Sequence, residues 1–423
     1  MVQTYNKNKG INQGRIQNMN RELLLNLLRR EGVCARIRLA ELSGLKQATV
    51  THIINDFICW KLVREVGFLT GSKGRRSIGI DINRDDFAVL GIRIARKNYS
   101  VGLFDLTGRA VRVNRGSVAD GDTPRDTFDQ ILRLSEELMK GEPKRRVLAI
   151  GMAIPGPFNL RTSRIELMTG VPGWGEVDIR SELEERFHIP VYMEQDGNAA
   201  VLAQEWHQNE NADAQNASEA GKDDTSVEKG ENILVYITAG QGVGAGILAD
   251  GKVLRGRLGI AGEIGHTTID IHGPRCACGN VGCLENYCSS IAFTRMVNEA
   301  VKPEKKISFA EAVMMVREGN EEAMKAFLSC CDALSTAVVN LINSFNPGYL
   351  IIGDEMAHIL PDLMHQRILE NVKARLVPAV YDNTRIMMSM VERDSMVHGA
   401  AVVAIREVFA HCSTFFNPGE EEE

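Results

Sequence analysis

Three cysteines, Cys276, Cys278 and Cys283, lie close together in the stretch CACGNVGCLE, and His266 ends the stretch GEIGH (262–266) just before them. Zinc in a closed site takes four nitrogen or sulfur donors arranged as a tetrahedron. Three thiolates spaced C-x-C-x4-C and one imidazole supply that number. Such short spacings force a tight loop, and Gly279 and Gly282 let the backbone turn. A reduced thiol cluster and a redox switch are the competing readings of the cysteine triplet. The other six cysteines are scattered, as expected for small buried hydrophobes.

A second chemistry sits at the N-terminus. Residues 1–84 hold 15 Lys and Arg against 6 Asp and Glu, a net of +9 in a chain whose total is −6. A basic head on an acidic body points to a polyanionic partner. Residues 20–30 place Leu23, Leu24, Leu27 and Leu28 on one helical face, and Gly32 ends that helix. In the stretch that follows, Ala40, Gly44 and Val50 fit a helix-turn-helix: a small residue at the crossing, a glycine in the turn and an apolar anchor. Val50, Ile53, Ile54 and Phe57 form the inward stripe of the second helix. Lys46, Gln47, Ala48, Thr51 and His52 are then left at its outward N-terminal end, where a recognition helix meets base edges. Strands over 62–66 and 77–82 flank a glycine-rich wing carrying Lys73, Arg75 and Arg76, suited to phosphates or a minor groove. The head is thus read as a winged helix-turn-helix, residues 1–84.

The elements that must position the cysteine loop follow from residue 85. Strands are expected at 87–95, 99–108, 147–153, 190–194, 233–238, 243–248 and 349–352, and helices at 123–140, 197–207, Glu321–Phe345 and 397–409. Their alternation argues for α/β layers. Residues 208–232 are polar and are read as a mobile surface insertion. The start of the chain has no apolar leader, and no run of roughly 18 apolar residues occurs. The expectation is a cytoplasmic protein without membrane insertion.

GEIGH followed by C-x-C-G-x2-G-C-x-E closely resembles the ROK family (repressors, open reading frames and kinases), and the head pattern NRELLLNLL…LAELSGLKQATV…GRR is similar to its repressor branch. The resemblance covers nearly the whole chain. It implies a two-lobed actin-like (ribonuclease H-like) sensor over 85–423, with a zinc motif at 262–285. It also implies that His266 joins Cys276, Cys278 and Cys283 on one structural zinc ion. A sugar pocket would lie between the lobes. The family's E-N-D motif matches Glu194-Gln195-Asp196, with Gln in place of Asn. Asp196, Glu263, His266 and Glu285 are then the sugar-binding residues, since each carboxylate accepts hydrogen bonds from two hydroxyls. Gly170 stands where many relatives have an Asn.

Asp196 would be the general base of a sugar kinase. The family's kinases also carry a D-x-G-G-T-like phosphate turn. Here that place reads Arg93-Ile94-Ala95-Arg96, without the acid or the glycines. The second turn, usually G-T-G-I-G, reads Gly240-Gln241-Gly242-Val243-Gly244. The expected function is therefore a kinase-inactive, sugar-responsive repressor of a carbohydrate operon, with a ROK-type kinase bearing a DNA-binding head as the alternative. A homodimer or dimer of dimers on palindromic operator DNA follows from two-fold symmetry. A sugar or sugar-phosphate inducer would release it, and a sugar-transporter protein is a further candidate partner. Lys46 takes the place of the Ser that usually caps the recognition helix.

Overall fold

The computed structural model describes residues 13–416 apart from 71–75, 120, 157, 160–161, 163, 166–172, 217–232 and 390–394. The head comprises helices α1 (Gln13–Glu31), α2 (Arg36–Ser43) and α3 (Gln47–Cys59) and strands β1 (Cys34–Ala35), β2 (Val63–Thr70) and β3 (Arg76–Ile82). Helix α1 starts at Gln13, ahead of the predicted residue 20. Leu24, Leu27 and Leu28 are buried, but Leu23 is exposed and Leu25 is buried instead. The physical reason is that α1 is covered on two sides, by the head and by the body, and such a helix needs a wider apolar face. Gly44, in the left-handed region at φ +69°, ends α2 and donates its N–H to the Ala40 carbonyl at 3.0 Å. Val50, Ile53, Ile54 and Phe57 of α3 are all buried as predicted. Strand β3 lies between β1 and β2, antiparallel to both. Strand β2 runs past the predicted end at Val66 to Thr70, with a bulge between Glu65 and Gly67.

The first lobe contains β4 (Phe87–Ile94), β5 (Asn98–Phe104), β6 (Ala110–Ser117), α4 (Pro124–Gly141), β7 (Arg146–Ile154), the short ribbon β8 (Phe158–Asn159) and β9 (Arg164–Ile165), α5 (Ile179–Phe187), β10 (Val191–Gln195) and α6 (Asp196–Asn216). Its sheet has the order β10-β7-β4-β5-β6. The second lobe contains β11 (Leu234–Ala239), β12 (Val243–Ala249), β13 (Lys252–Val253), α7 (Glu285–Cys288), α8 (Ser290–Val301), α9 (Phe309–Arg317), α10 (Glu321–Phe345), β14 (Tyr349–Gly353), α11 (Pro361–Lys373), α12 (Pro378–Tyr381) and β15 (Arg385–Met388). Helices α13 (Ser395–Ala410) and α14 (Cys412–Phe416) close the described chain.

The two sheets repeat one plan. In each, the first strand pairs antiparallel with the second and parallel with the fourth, giving β10-β7-β4-β5-β6 and β13-β12-β11-β14-β15. Helix α6 leaves the first sheet yet packs on β11 and β12 of the second, whereas α13 leaves the second and packs on β4 and β7 of the first. The two helices also pack on each other and form a shared layer between the sheets.

This layer joins the head as well. One continuous core cluster runs from Leu24 and Phe57 of the head through Val201 and Trp206 of α6 to Phe409 and Cys412. Phe416 stacks on Trp60 at 6.3 Å and meets Phe87 edge-on at 4.9 Å. The head is therefore docked on the body through apolar contact.

The insertion expected at 208–232 begins later than predicted, because α6 continues to Asn216. Extending an established helix is far easier than starting one. Residues 217–232 lie outside the described residues. Helix α10 is long and apolar enough to cross a membrane by length and mean hydropathy, 1.4. Its Phe327, Leu334 and Val338 are buried in the second lobe's core, which accounts for that apolarity.

Candidate ligand cleft, metal centre and nucleic-acid interface

His266 ends a single 3-10 turn (Ile264–His266) that follows β13, and the cysteine loop folds back beside it. The Nδ1 atom of His266 lies 3.7 Å from Cys276 Sγ, and Cys278 Sγ lies 3.7 Å from Cys283 Sγ. All four donor atoms fall within 4.8 Å of one another. A tetrahedron with zinc–sulfur bonds of about 2.3 Å has edges of about 3.8 Å, so the donor set fits zinc. Burial and the neighbouring thiols push the Cys283 thiol up, and a bound cation would favour its thiolate. The loop is held by Asn280 Nδ2, which donates to the His266 carbonyl at 3.0 Å and to Thr268 Oγ1 at 3.1 Å. Gly282 has φ +63°, and a Cβ there would meet the Asp270 carbonyl oxygen at 1.7 Å. No other residue type fits that position.

The opposite edge of His266 faces the cleft between the lobes, with Nε2 4.0 Å from Glu263 Oε2. Asp196, Glu263, His266 and Glu285 line this one cleft. Asp196 is the first residue of α6, and its Oδ1 accepts the Gly197 N–H at 2.7 Å. Enclosure by the cleft walls pushes its carboxyl up to about 6, against the pull of Arg93. Glu263 accepts from Gln195 Nε2 at 2.5 Å, and burial, reinforced by Asp196 and Glu285, pushes it up to about 8. Glu285 accepts from the Val243 N–H at 3.1 Å and from Arg96 Nη2 at 3.2 Å.

Arg96 also donates through Nη1 to the Gln241 carbonyl at 3.0 Å. Its guanidinium therefore spans from the β4–β5 turn of the first lobe to the glycine turn of the second. The space left in the cleft is about 50 Å³, well short of the roughly 300–1,000 Å³ of a typical small-molecule site. A sugar needs these walls to part.

Glu194 has a different role. It is 1% exposed and accepts from the Gln195 N–H, from Asn198 Nδ2 at 2.9 Å and from Arg255 Nε at 2.7 Å. A buried charge so fully paired fixes the loop before Glu263 to β10. Gly170 lies outside the described residues. Sequence reasoning missed Gln195 as the partner of Glu263, and it missed Asp354. Asp354 lines the cleft with φ +75° and ψ −167°, backbone that glycine normally occupies. An acid directly after the strand-ending Gly353 was the available signal.

On the head, Lys46, Gln47, Ala48 and His52 are exposed at the start of α3, and Thr51 is half-buried. The Thr51 hydroxyl donates to the Gln47 carbonyl at 2.8 Å. Lys46 occupies the N-cap position without any side-chain cap. Of the wing residues, Lys73 and Arg75 lie outside the described residues, and Arg76 opens β3. Phe68, 72% exposed, sits opposite Ile78 on the wing hairpin, an apolar pair the charge pattern did not announce.

A family model described as "ROK family" matches residues 89–407. The chain is 27% identical to a xylose repressor of Caldicellulosiruptor bescii, over 93% of this chain and 97% of that protein. It is 26% identical to a glucokinase of Thermotoga maritima, over 74% of this chain and 96% of the kinase. Among solved structures, a ROK family transcriptional regulator described as a homolog of E. coli MLC protein superposes with a TM-score of 0.75 at 25% identity, covering 94% of this chain and 97% of that one.

Proposed function

The chain belongs to the ROK family, and from that premise we propose that it is a sugar-responsive, DNA-binding transcriptional repressor whose sensor has lost kinase activity. The observation that carries the reading is the position of Arg96. Its guanidinium bridges Glu285 and the Gln241 carbonyl where the family's kinases keep a phosphate turn. A phosphoryl-transfer site works by positioning and neutralising phosphate charge, and it cannot share that space with a paired arginine. Coverage supports the same reading: the match to the repressor includes the head, and the match to the glucokinase omits about a quarter of the chain.

Asp196, Glu263, Glu285 and His266 are the residues that would take sugar hydroxyls, with Asp196 as a binding residue. His266, Cys276, Cys278 and Cys283 would hold a zinc ion. That ion supplies rigid geometry, fixing the loop and the orientation of His266 toward the cleft. Exposed Gln47, Ala48 and His52 would read base edges, with Thr51 beside them and Lys46 and the wing near phosphates. The protein would act in the cytoplasm as a homodimer on a palindromic operator. Sugar releases DNA only if it binds the DNA-free arrangement more tightly.

Anisotropy of labelled promoter DNA, titrated with D-xylose, D-glucose, N-acetylglucosamine and N-acetylglucosamine 6-phosphate, tests this reading. Release by at least one sugar is expected, and indifference to all four would remove the inducer model. A coupled ATP assay with the same sugars addresses the kinase alternative, which the enclosed Asp196 favours. Sustained turnover would establish that alternative.

A further inference from the structure

Helix α6 begins in the ligand cleft and passes beneath the DNA-binding head. Asp196 is its first residue, and Trp206 lies about 15 Å further along at 1.5 Å per residue. There α1 grips it. The Arg29 guanidinium lies 3.7 Å from the centre of the Trp206 ring, and its Nη1 donates to the Trp206 carbonyl at 3.5 Å. Arg30 pairs with Glu205 at 3.4 Å. Trp206 is itself fixed, since its indole N–H donates to the Thr107 carbonyl at 2.9 Å. Arg21 of α1, 3% exposed, pairs with Asp56 of the recognition helix α3 at 3.1 Å.

The first turn of the helix has no slack against its neighbours. A Cβ on Gly246 of β12 would lie 2.0 Å from the Gly197 carbonyl oxygen. One on Gly399 of α13 would lie 2.1 Å from the Ala199 carbonyl oxygen. Backbones in such close contact move together, because packed interiors shift between discrete arrangements and do not compress.

We propose that α6 is the lever that carries cleft occupancy to the head. A ligand held between Asp196 and Glu285 re-sets the angle of α6, Arg29 and Arg30 pass that change to α1, and the Arg21–Asp56 pair passes it to α3. This inference rests on the sugar-responsive reading above.

The test uses the full zinc-loaded chain, duplex DNA selected from a random library by the wild-type protein, and the same four sugars. Arg29→Met keeps an apolar stem over Trp206 but removes the charge and its carbonyl bond. Glu205→Gln loosens Arg30 from a half-buried position. In the wild type, the sugar that binds in calorimetry should weaken DNA binding by about 5–150-fold, the usual span of allosteric coupling. In Arg29→Met, sugar affinity and sugar-free DNA affinity should each stay within about threefold, while release falls below about twofold. Glu205→Gln should give an intermediate value. Wild-type release in Arg29→Met overturns the lever and leaves the sensor reading standing. A wild-type chain that binds none of the sugars overturns the sensor reading, and the lever with it. If Arg29→Met does not fold, Glu205→Gln decides, and an unchanged release ratio there overturns the lever.

Discussion

At the scale of single residues, the cleft concentrates carboxylates that water would keep ionised. Asp196 in the unfolded chain releases its proton near 3.8, and in the fold it does so at about 6. The folded state therefore binds more protons between those values, so this residue makes stability fall as pH rises from about 4 to about 6. Sugar binding should show the opposite trend, strengthening through about pH 6 as the carboxylate gains its full acceptor capacity. Asp196→Asn should remove the part of both dependences near pH 6, leaving the part set by Glu263 toward pH 8, and weaken sugar binding at least about tenfold, the loss of one charge-assisted hydrogen bond. Calorimetry and thermal melts between pH 5 and 8 would check this, and an unchanged pH profile would place the effect elsewhere. Asp196, Glu263 and Glu285 were legible because they sit in motifs, whereas Asp354 sits in none and was missed. Arg96 was legible only as a departure from a motif. Its bond to Glu285 depends on two lobes meeting, which no local pattern encodes.

Elements explain what the sequence period did and did not reveal. The stripe of α3 was read correctly because one face is buried and one is open. Helix α1 was read one leucine out, with Leu25 in place of Leu23, because its second buried face is supplied by residues hundreds of positions later. The uncapped start of α3 gives a local prediction: Lys46→Ser should stabilise the head by about 1 kcal/mol through a new side-chain cap while weakening DNA binding. Melting curves and operator titrations at several salt concentrations check both halves. The zinc loop gives another. Cys278 is the exposed member of the four-donor cluster, so Cys278→Ser should lower zinc uptake with little packing damage. Zinc content by mass spectrometry should fall, and sugar affinity should fall with it because His266 is no longer held. DNA affinity should remain. Parallel loss of all three would indicate general unfolding.

At the scale of the whole molecule, the division into a head and a body was legible from charge, and the alternating elements gave the α/β class. The docking of one on the other was not, because it is built from Trp60, Phe87 and Phe416, scattered aromatics with no shared motif. Phe416→Ala should loosen the seat of the head without releasing it, lowering the melting temperature with a loss of about 0.5–3 kcal/mol, which calorimetry would check. The exchange of α6 and α13 between the sheets has a consequence for the order in which a ribosome makes this chain. Nascent domains fold from the N-terminus as they emerge, so the head is complete early, but α13 and α14, which seat it, come last. A message cut short just before residue 395 would release a DNA-binding head seated on α6 alone, without α13 and α14, and a first sheet lacking part of its cover. Such a fragment would grip operators without hearing the sensor, and quality control in the cell would have to remove it.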